Sequence, residues 1–433
     1  MSRALGFDFG TTNSVLALCD GPSGAASPLA FTFEAQKIDT LRSALAFWKA
    51  AGAGARNTAS EIGPWAVARY IEHPDDTRFM QSLKTFAASP LFVGAYVYGK
   101  RLRFEDLLEE FFEQLRRHSA FAPDAMPKRL VIGRPVAYAG ATPEPALAAR
   151  RYREALEKFG FSEILFVYEP VAAAFFFARN LKKSATVLIA DFGGGTTDFS
   201  ILRFTVDKTG VHAQPLAHGG VGIAGDNFDF QIIDKVVLPR LGKGGKYQGW
   251  GKQLDLPAGV FSSFARWNLL SVLKSSDEFR DLKKLRKDCL EPEKIERMIE
   301  LVEEDQGYPL YKAVSEAKAR LSHQDETDFV FDPLGADFRA RIRRDDFEGW
   351  IAGDLARIEA SLVATLDQAK FGGETIDRVF LTGGTSFVPA VREIFERRFG
   401  AARIESGDEL LSIASGLALI GERDDASAWA TAD

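Results

Sequence analysis

Cysteine is almost absent from this chain, with Cys19 and Cys289 the two examples in 433 residues. There is no Cys/His cluster, so neither a disulfide framework nor a zinc site is expected, and both thiols read as free in a reducing cytoplasm. Positive charge is in short supply too: 54 Lys and Arg stand against 60 Asp and Glu, a formal net charge of −6. That balance removes any general attraction to nucleic acid or anionic lipid. No apolar run approaches the roughly 20 residues that a membrane helix needs. The N-terminus enters a strand pattern at once, without the charged and apolar regions of a signal sequence. The expectation is a cytoplasmic monomer with no nucleic-acid or membrane partner.

What is present is core-forming material. Hydrophobic residues make up 46% of the chain and phenylalanine alone numbers 35, enough for two or more lobes with aromatic-rich cores. One stretch organises them. Val187–Ala190 is a short apolar run, a buried strand by pattern. Asp191 stands at its end, followed by Phe192, Gly193, Gly194, Gly195, Thr196, Thr197 and Asp198. Glycines let the backbone turn sharply and present bare N–H groups to a ligand. With hydroxyls beyond and a carboxylate before, the turn suits a phosphate whose metal ion Asp191 would hold. A plain glycine-rich hairpin is the alternative, because short glycine motifs match by chance.

A second copy shifts that balance. Leu5, Gly6, Phe7, Asp8, Phe9, Gly10, Thr11 and Thr12 again supply a strand aspartate, Phe-Gly and a Thr-Thr pair. The repeat points to two related halves facing one ligand, each with a carboxylate and a turn of N–H donors. Neither hairpin carries the Gly-Lys-Ser/Thr of a kinase loop or the Gly-x-Gly-x-x-Gly of a dinucleotide site.

Along the rest of the chain, 20–60 read as small strands and loops at an edge, and 61–80 as helical around Trp65, Val67, Ala68 and Ile71. Lys84 by itself would pass for a solvated lysine. An amphipathic helix over 104–117 carries Phe104, Leu108, Phe111 and Phe112 on one face. Leu130–Val136 is a strand that turns at Pro135, and a charged helix follows over 146–159. The strand Ile164–Tyr168 ends in Glu169-Pro170 before a small and aromatic helix, where Glu169 would also serve as an acidic helix start. Gly219–Asp226, with Gly222 and Gly225, is a third glycine turn ahead of a helix, suited to a phosphate or simply tight. Residues 239–306 are the least regular, and the mixed-charge segment 274–305 reads as solvated helices. Helices over 308–322 and 346–370 precede Val379–Ser386, where Gly383 and Gly384 would let a flat purine lie on the backbone. Ser412–Ile420 reads as a closely packed helix around Gly416, and the last dozen residues as a frayed tail.

In this order the motifs resemble the ATPase domain of the DnaK-type heat shock protein 70 family, from about residue 3 to about 421, and most nearly its short YegD-like branch. Gly6–Ser14 and Asp191–Ser200 are similar to the two phosphate loops. Arg134-Pro135 with Val136, Ala137 and Tyr138 is similar to the first connecting segment. Glu169-Pro170-x-Ala-Ala-Ala looks like the catalytic glutamate turn, and Val379–Pro389 like the adenosine motif. The resemblance implies an α/β chain of the actin-like ATPase fold. Two lobes, each with a duplicated RNase H-like mixed five-stranded sheet flanked by helices, would surround a central nucleotide cleft. Residues 1–186 would form the first lobe, with a small upper subdomain at about 30–100. Residues 187–421 would form the second, with an enlarged upper subdomain at about 226–322, leaving 422–433 as a flexible tail.

The resemblance further implies ATP and Mg²⁺ as cofactors and slow hydrolysis by in-line attack of water on the γ-phosphate. Lys84, Glu169, Asp191 and Thr196 would be catalytic, and Asp8, Asp191 and Asp198 would hold hydrated Mg²⁺. Gly10, Thr11, Thr12 and the run Gly193, Gly194, Gly195, Thr196, Thr197 would contact phosphates, with Gly222 and Gly225 at a third turn. Lys318 would contact the ribose; Gly383, Gly384 and Phe387 the adenine. Pro135 would relay nucleotide state between the lobes. Ser315 departs from the family's usual glutamate, and Phe387 from an arginine that often stacks on adenine. No acidic-leucine linker follows Gly421, so a nucleotide switch lacking the peptide-binding domain is expected. The extra length at 240–306 is then a candidate surface for a protein client or co-chaperone, or a solvated helical pair. An MreB-like ATP-dependent filament protein and a small-molecule kinase on the same fold are the alternatives. Phe-Gly-Thr-Thr-Asn-Ser and the chain length favour the chaperone family over the first. The second lacks a recognisable acceptor pocket and base.

Overall fold

Both aspartate-bearing runs are the central strands of sheets, and the two sheets share one strand order. The computed structural model describes residues 4–19, 25–50, 58–119, 126–140, 142–179, 181–208, 210–266, 273–274, 276–304, 306–335, 337–370, 375–407 and 411–431. The first sheet contains β1 (Ala4–Phe9), β2 (Asn13–Cys19), β3 (Ala26–Pro28), β4 (Arg129–Arg134) and β5 (Glu163–Tyr168). The second contains β6 (Ala185–Phe192), β7 (Thr197–Asp207), β8 (Gly210–Val221), β9 (Arg378–Thr382) and β10 (Ile404–Ser406). Their orders are β3-β2-β1-β4-β5 and β8-β7-β6-β9-β10, with Leu41–Arg42 pairing additionally on β2. In each, the first three strands are antiparallel and the last two join in parallel. Every residue of β1 and β6 is buried. That is why both read as near-continuous apolar runs rather than alternating ones.

Helices cover these sheets through the expected apolar faces. On Phe104–His118, Phe112 meets Phe7 of β1 with ring centroids 5.4 Å apart and Phe111 meets Phe9 at 5.2 Å, both edge-on. The helix Ser412–Gly421 is almost wholly buried and packs on β1, β2 and the helix Glu169–Ala178. Small residues make that approach possible. A Cβ at Gly416 would lie 1.7 Å from the Ala172 carbonyl oxygen, and one at Gly6 would lie 2.3 Å from that of Ala414.

By internal packing the chain divides into two units. The first comprises Met1–Gly225, Ala356–Ser386 and Ala390–Asp433 and holds both sheets; the second comprises Asp226–Leu355 and Phe387–Pro389. The expected lobe boundary at 186/187 falls inside the first unit and within β6. The second unit is built from the helices Asp277–Leu285, Pro292–Glu303 and Gly307–Leu321 with two hairpins, Lys246–Gly249/Lys252–Asp255 and Glu326–Val330/Arg339–Arg343. Its mixed-charge helices are not solvated all round: Phe279, Leu282, Ile295, Met298 and Leu301 are buried. Of the 240–306 segment, residues 267–272, 275 and 305 lie outside the described residues.

Three sequence expectations change. Ala44–Lys49 is not an edge element but the centre of a three-stranded sheet, flanked by Thr58–Ile62 and Arg78–Gln81. The helix expected over 61–80 spans Gly63–Glu72, because Pro74 disfavours helical backbone at His73 and the chain then enters a strand. The tail is not frayed over its described part. Ala426–Trp429 forms a short turn, Trp429 packs edge-on against Phe175 at 4.7 Å, and the Thr431 N–H donates to the Phe166 carbonyl at 2.8 Å. The outer strand β5 offers an unpaired carbonyl there, and an indole has apolar area to bury. Residues 432–433 lie outside the described residues.

The closeness of Gly416 to Ala172 is testable. Gly416→Ala is expected to cost about 1–3 kcal/mol of stability through overpacking. Chemical denaturation measures it, and an unchanged midpoint would contradict the contact.

Candidate functional site

Each hairpin places its aspartate where a central strand gives way to a turn. β1 and β2 pair Asp8 with Val15 and Phe9 with Ser14. β6 and β7 pair Asp191 with Asp198 and Phe192 with Thr197. A Cβ at Gly10 would sit 2.1 Å from the Asn13 carbonyl oxygen, so only glycine fits that turn. The Gly193 N–H closes the second hairpin on the Thr196 carbonyl at 3.0 Å. The two turns meet: a Cβ at Gly195 would lie 3.5 Å from the Thr11 hydroxyl.

The third and fourth glycine turns join them. The Gly225 N–H donates to the Gly193 carbonyl at 3.4 Å, and a Cβ at Gly222 would lie 3.1 Å from Ala139 Cα. Gly383, with φ +83°, lies so close to Phe192 that a Cβ would be 2.1 Å from its carbonyl oxygen, and Gly384 follows it. Thr385 donates to the Gly193 carbonyl at 3.4 Å. Thus Gly10, Thr11, Thr12, Gly193–Thr197, Gly222, Gly225, Gly383 and Gly384 all belong to the first unit. Thr197 differs from expectation in its hydroxyl, which is fully buried and donates to the Ile223 carbonyl at 2.7 Å, bracing the third turn. Gly220, Gly222 and Gly225 do have dinucleotide-motif spacing, but they end an antiparallel strand, not the first strand of a βαβ unit. Lys318 and Phe387 belong to the second unit. There Lys318 pairs with Asp229 at 2.9 Å, and the Phe387 ring is half exposed.

Around the hairpins of the first unit sits a buried group of charges. Ser82, at φ +55°, starts the tight turn Leu83–Phe86 that carries Lys84. The Lys84 ammonium is ion-paired with Glu169, the first residue of the helix after β5, and both side chains are buried. Burial pushes the ammonium down, but Glu169 and Asp8 more than reverse it, so its pKa ends above the ordinary lysine value. Asp8 is raised to about 7, first by burial and then by Glu169, with Lys84 pulling the other way. Asp198 is also raised to about 7, by burial and then Glu169. Asp191 is pushed well up by burial, Glu169, Asp198 and Asp8.

Asp198 plays a part that its motif did not disclose. Its Oδ1 accepts from the Val136 and Ala137 N–H groups at 2.7 and 3.0 Å, tying β7 to the connecting segment after β4. Its Oδ2 is buried without a hydrogen-bond partner among the described residues. An orphaned carboxylate oxygen beside two more buried aspartates fits a cation. Among the described residues no three or more His, Cys, Asp or Glu side chains form a dedicated cage.

Sequence reasoning missed Ser43 and Asp229, and named Tyr138 only as part of the connecting segment. Ser43 braces the first hairpin: its hydroxyl donates to the Gly10 carbonyl at 2.6 Å and its N–H to that of Thr12 at 2.9 Å. Tyr138 is buried beside the charges, its phenol pushed up to about 12 by burial despite Arg134 and Lys84. Asp229 holds Lys318. No spacing signals any of these, since each partner is brought in from elsewhere in the chain.

Breaking the buried pair should be costly. Lys84→Met leaves Glu169 uncompensated and is expected to lose about 3–5 kcal/mol. Adding Glu169→Gln should recover most of it in denaturation experiments; equal stability of the two variants would argue against the pair.

A family model described as Hsp70 protein matches residues 149–241 and 283–423, more than half of the chain. The chain is similar to the chaperone protein DnaK of Deinococcus radiodurans, 26% identical over 97% of this chain and 59% of that protein. It is 25% identical to the chaperone protein dnaK of Cyanophora paradoxa, over 92% of this chain and 56% of that one. A chaperone protein HscA homolog of Pseudomonas fluorescens is 23% identical, over 96% and 57%. The chain therefore spans less than two thirds of the length of these relatives. Taken with the twice-used strand order and the paired aspartate hairpins, the match means that the chain belongs to the Hsp70 family and has its actin-like ATPase fold.

Proposed function

We propose that the chain binds Mg-ATP at its paired hairpins and hydrolyses it slowly, as the nucleotide switch of a chaperone-type protein. The observation that carries this reading is the meeting of Thr11 with Gly195 beside the buried Lys84–Glu169 pair. Backbone N–H groups of the two turns and the hydroxyls of Thr11, Thr12 and Thr196 receive the phosphates. Glu169 accepts a hydrogen bond from the attacking water and orients it. Lys84 offsets charge that builds on the γ-phosphoryl oxygens. The water oxygen bonds to the γ-phosphorus as the bond to the β,γ-bridging oxygen breaks, releasing ADP and phosphate. Asp8, Asp191 and Asp198 would hold Mg²⁺, which when bound supplies neutralisation of phosphate charge. Ribose and adenine are assigned to Lys318 and Phe387 on the family resemblance alone.

The cell compartment in this reading is the cytoplasm; among the described residues no helix is long and apolar enough to cross a membrane. A client or co-chaperone would use the 240–306 region. Trp250 stands 99% exposed there, at the tip of the hairpin Lys246–Gly249/Lys252–Asp255.

Two measurements test the reading. Lys84→Ala should keep ATP binding but lose about 10²–10³-fold in single-turnover hydrolysis, whereas Asp191→Ala should weaken Mg-ATP itself; wild-type protein that binds no ATP sinks the proposal. The second concerns pH. Asp8 and Asp198 titrate near 7 without a cation, so they hold protons below that pH and must release them to bind one. Mg-ATP affinity is therefore expected to rise with pH through about 7, with proton release near neutrality. Calorimetry in buffers of different ionisation heat reads that release, and a pH-independent affinity with no proton release contradicts it.

A further inference from the structure

The segment that follows Lys84 has a surplus of carbonyl groups. From Phe86 to Phe92 the chain is neither helix nor strand beyond the Lys84 turn itself; the Phe86 and Ser89 carbonyls accept from the Ser89 and Phe92 N–H groups at 3.2 Å each, and no regular ladder serves the segment. One side chain serves four of its carbonyls. Arg151, on the helix Pro145–Leu156, donates from Nη1 to the carbonyls of Phe86, Ala87 and Ser89 at 2.8, 3.0 and 3.1 Å. From Nη2 it donates to Phe92 at 2.9 Å. Its Nε lies 3.5 Å from a carboxylate oxygen of Glu105 on the helix Phe104–His118, and both side chains are about nine-tenths buried. The residue that precedes the helix of Arg151 reaches the segment through its backbone as well: the Glu144 N–H donates to the Ala88 carbonyl at 2.8 Å.

The connection to Lys84 is short. The Ala87 N–H donates to the carbonyl of Lys84 at 3.1 Å, while the Phe86 carbonyl of the same peptide group accepts from Arg151 at 2.8 Å. A single peptide group thus lies between the guanidinium and the backbone of Lys84. Arginine suits the place because it presents five donors in one rigid planar fork, where lysine offers three from a point and methionine none.

We infer that Arg151 is a positioning residue for Lys84, holding the 86–92 carbonyls so that the ammonium meets Glu169 in the geometry hydrolysis needs. The inference rests on the Mg-ATP reading for its effect on turnover, and on the hydrogen bonds alone for its effect on Lys84. Misplacement of a reacting group by about 1 Å can cost on the order of 10²-fold in rate. Nucleotide affinity depends instead on the hairpins, so rate and affinity should separate.

The experiment uses the full chain with Arg151→Met and Arg151→Lys, and three readouts. These are ATP affinity, single-turnover hydrolysis, and the rate at which acetic anhydride labels the Lys84 amine in nucleotide-free protein, followed by mass spectrometry. Folding is checked by near-ultraviolet circular dichroism. For Arg151→Met, affinity should stay within about threefold, turnover should fall at least about tenfold, and Lys84 should label faster. Arg151→Lys should be intermediate in turnover and in labelling, and it carries the test if the methionine variant does not fold. A folded variant with wild-type turnover and wild-type protection of Lys84 overturns the inference. So does a loss of affinity in step with turnover, the mark of general structural damage. If the wild type hydrolyses no ATP, the Mg-ATP reading fails on that result, and the labelling of Lys84 in the variants still decides the role of Arg151.

Discussion

The Lys84 ammonium, buried against Glu169 and within electrostatic reach of Asp8, Asp191 and Asp198, is the charge on which the centre of this molecule depends. Four acids removed from water would repel one another strongly, and burial alone drives carboxyl groups toward their neutral form. Lys84 opposes that tendency at all three aspartates, and Glu169 in turn keeps the ammonium charged despite its burial. The balance is incomplete. The aspartates stay raised toward neutrality, and Asp198 keeps one buried oxygen with no hydrogen-bond partner among the described residues.

Duplication explains how such a site can exist. A strand order used twice yields two equivalent strand ends, and each carries an aspartate into a glycine turn. Bringing the two sheets together apposes those ends, Thr11 against Gly195. The helix Ser412–Gly421 and the helix Glu169–Ala178 make the close fit possible, because Gly416 and Gly6 remove the Cβ atoms that would collide with backbone. Asp198 adds a polar tie, spending one oxygen on the N–H groups of Val136 and Ala137. The charge balance around Lys84 therefore rests on packing between elements far apart in the chain.

Much of the fold was legible because its signals are local. The apolar run Val187–Ala190 marked β6 as a buried strand, and a 3.6-residue period marked Phe104–His118. The repeated Asp, Phe-Gly and Thr-Thr pointed to duplication before any sheet was seen. Local signals also misled where a longer-range partner took over. Ala44–Lys49 became a sheet centre because strands from both sides pair with it. The chain after Glu72 left the helix at Pro74. The last described residues found an open strand edge at Phe166 and an aromatic surface at Phe175, which their polar, alanine-rich composition did not foretell.

By itself the sequence determined the kinds of groups and their local geometry: which strands are buried, where glycine permits a turn, which carboxylates stand at strand ends. Covalent neighbours and short-range periodicity set those features, so they can be read from short windows of the chain. The tertiary structure alone decided the partnerships. Lys84 and Glu169, Asp198 and Val136, Asp229 and Lys318, and Arg151 with the carbonyls after Lys84 are pairs that no spacing announces. Each depends on burial, which strengthens a charge or a hydrogen bond by excluding water, and burial exists only once distant segments have packed.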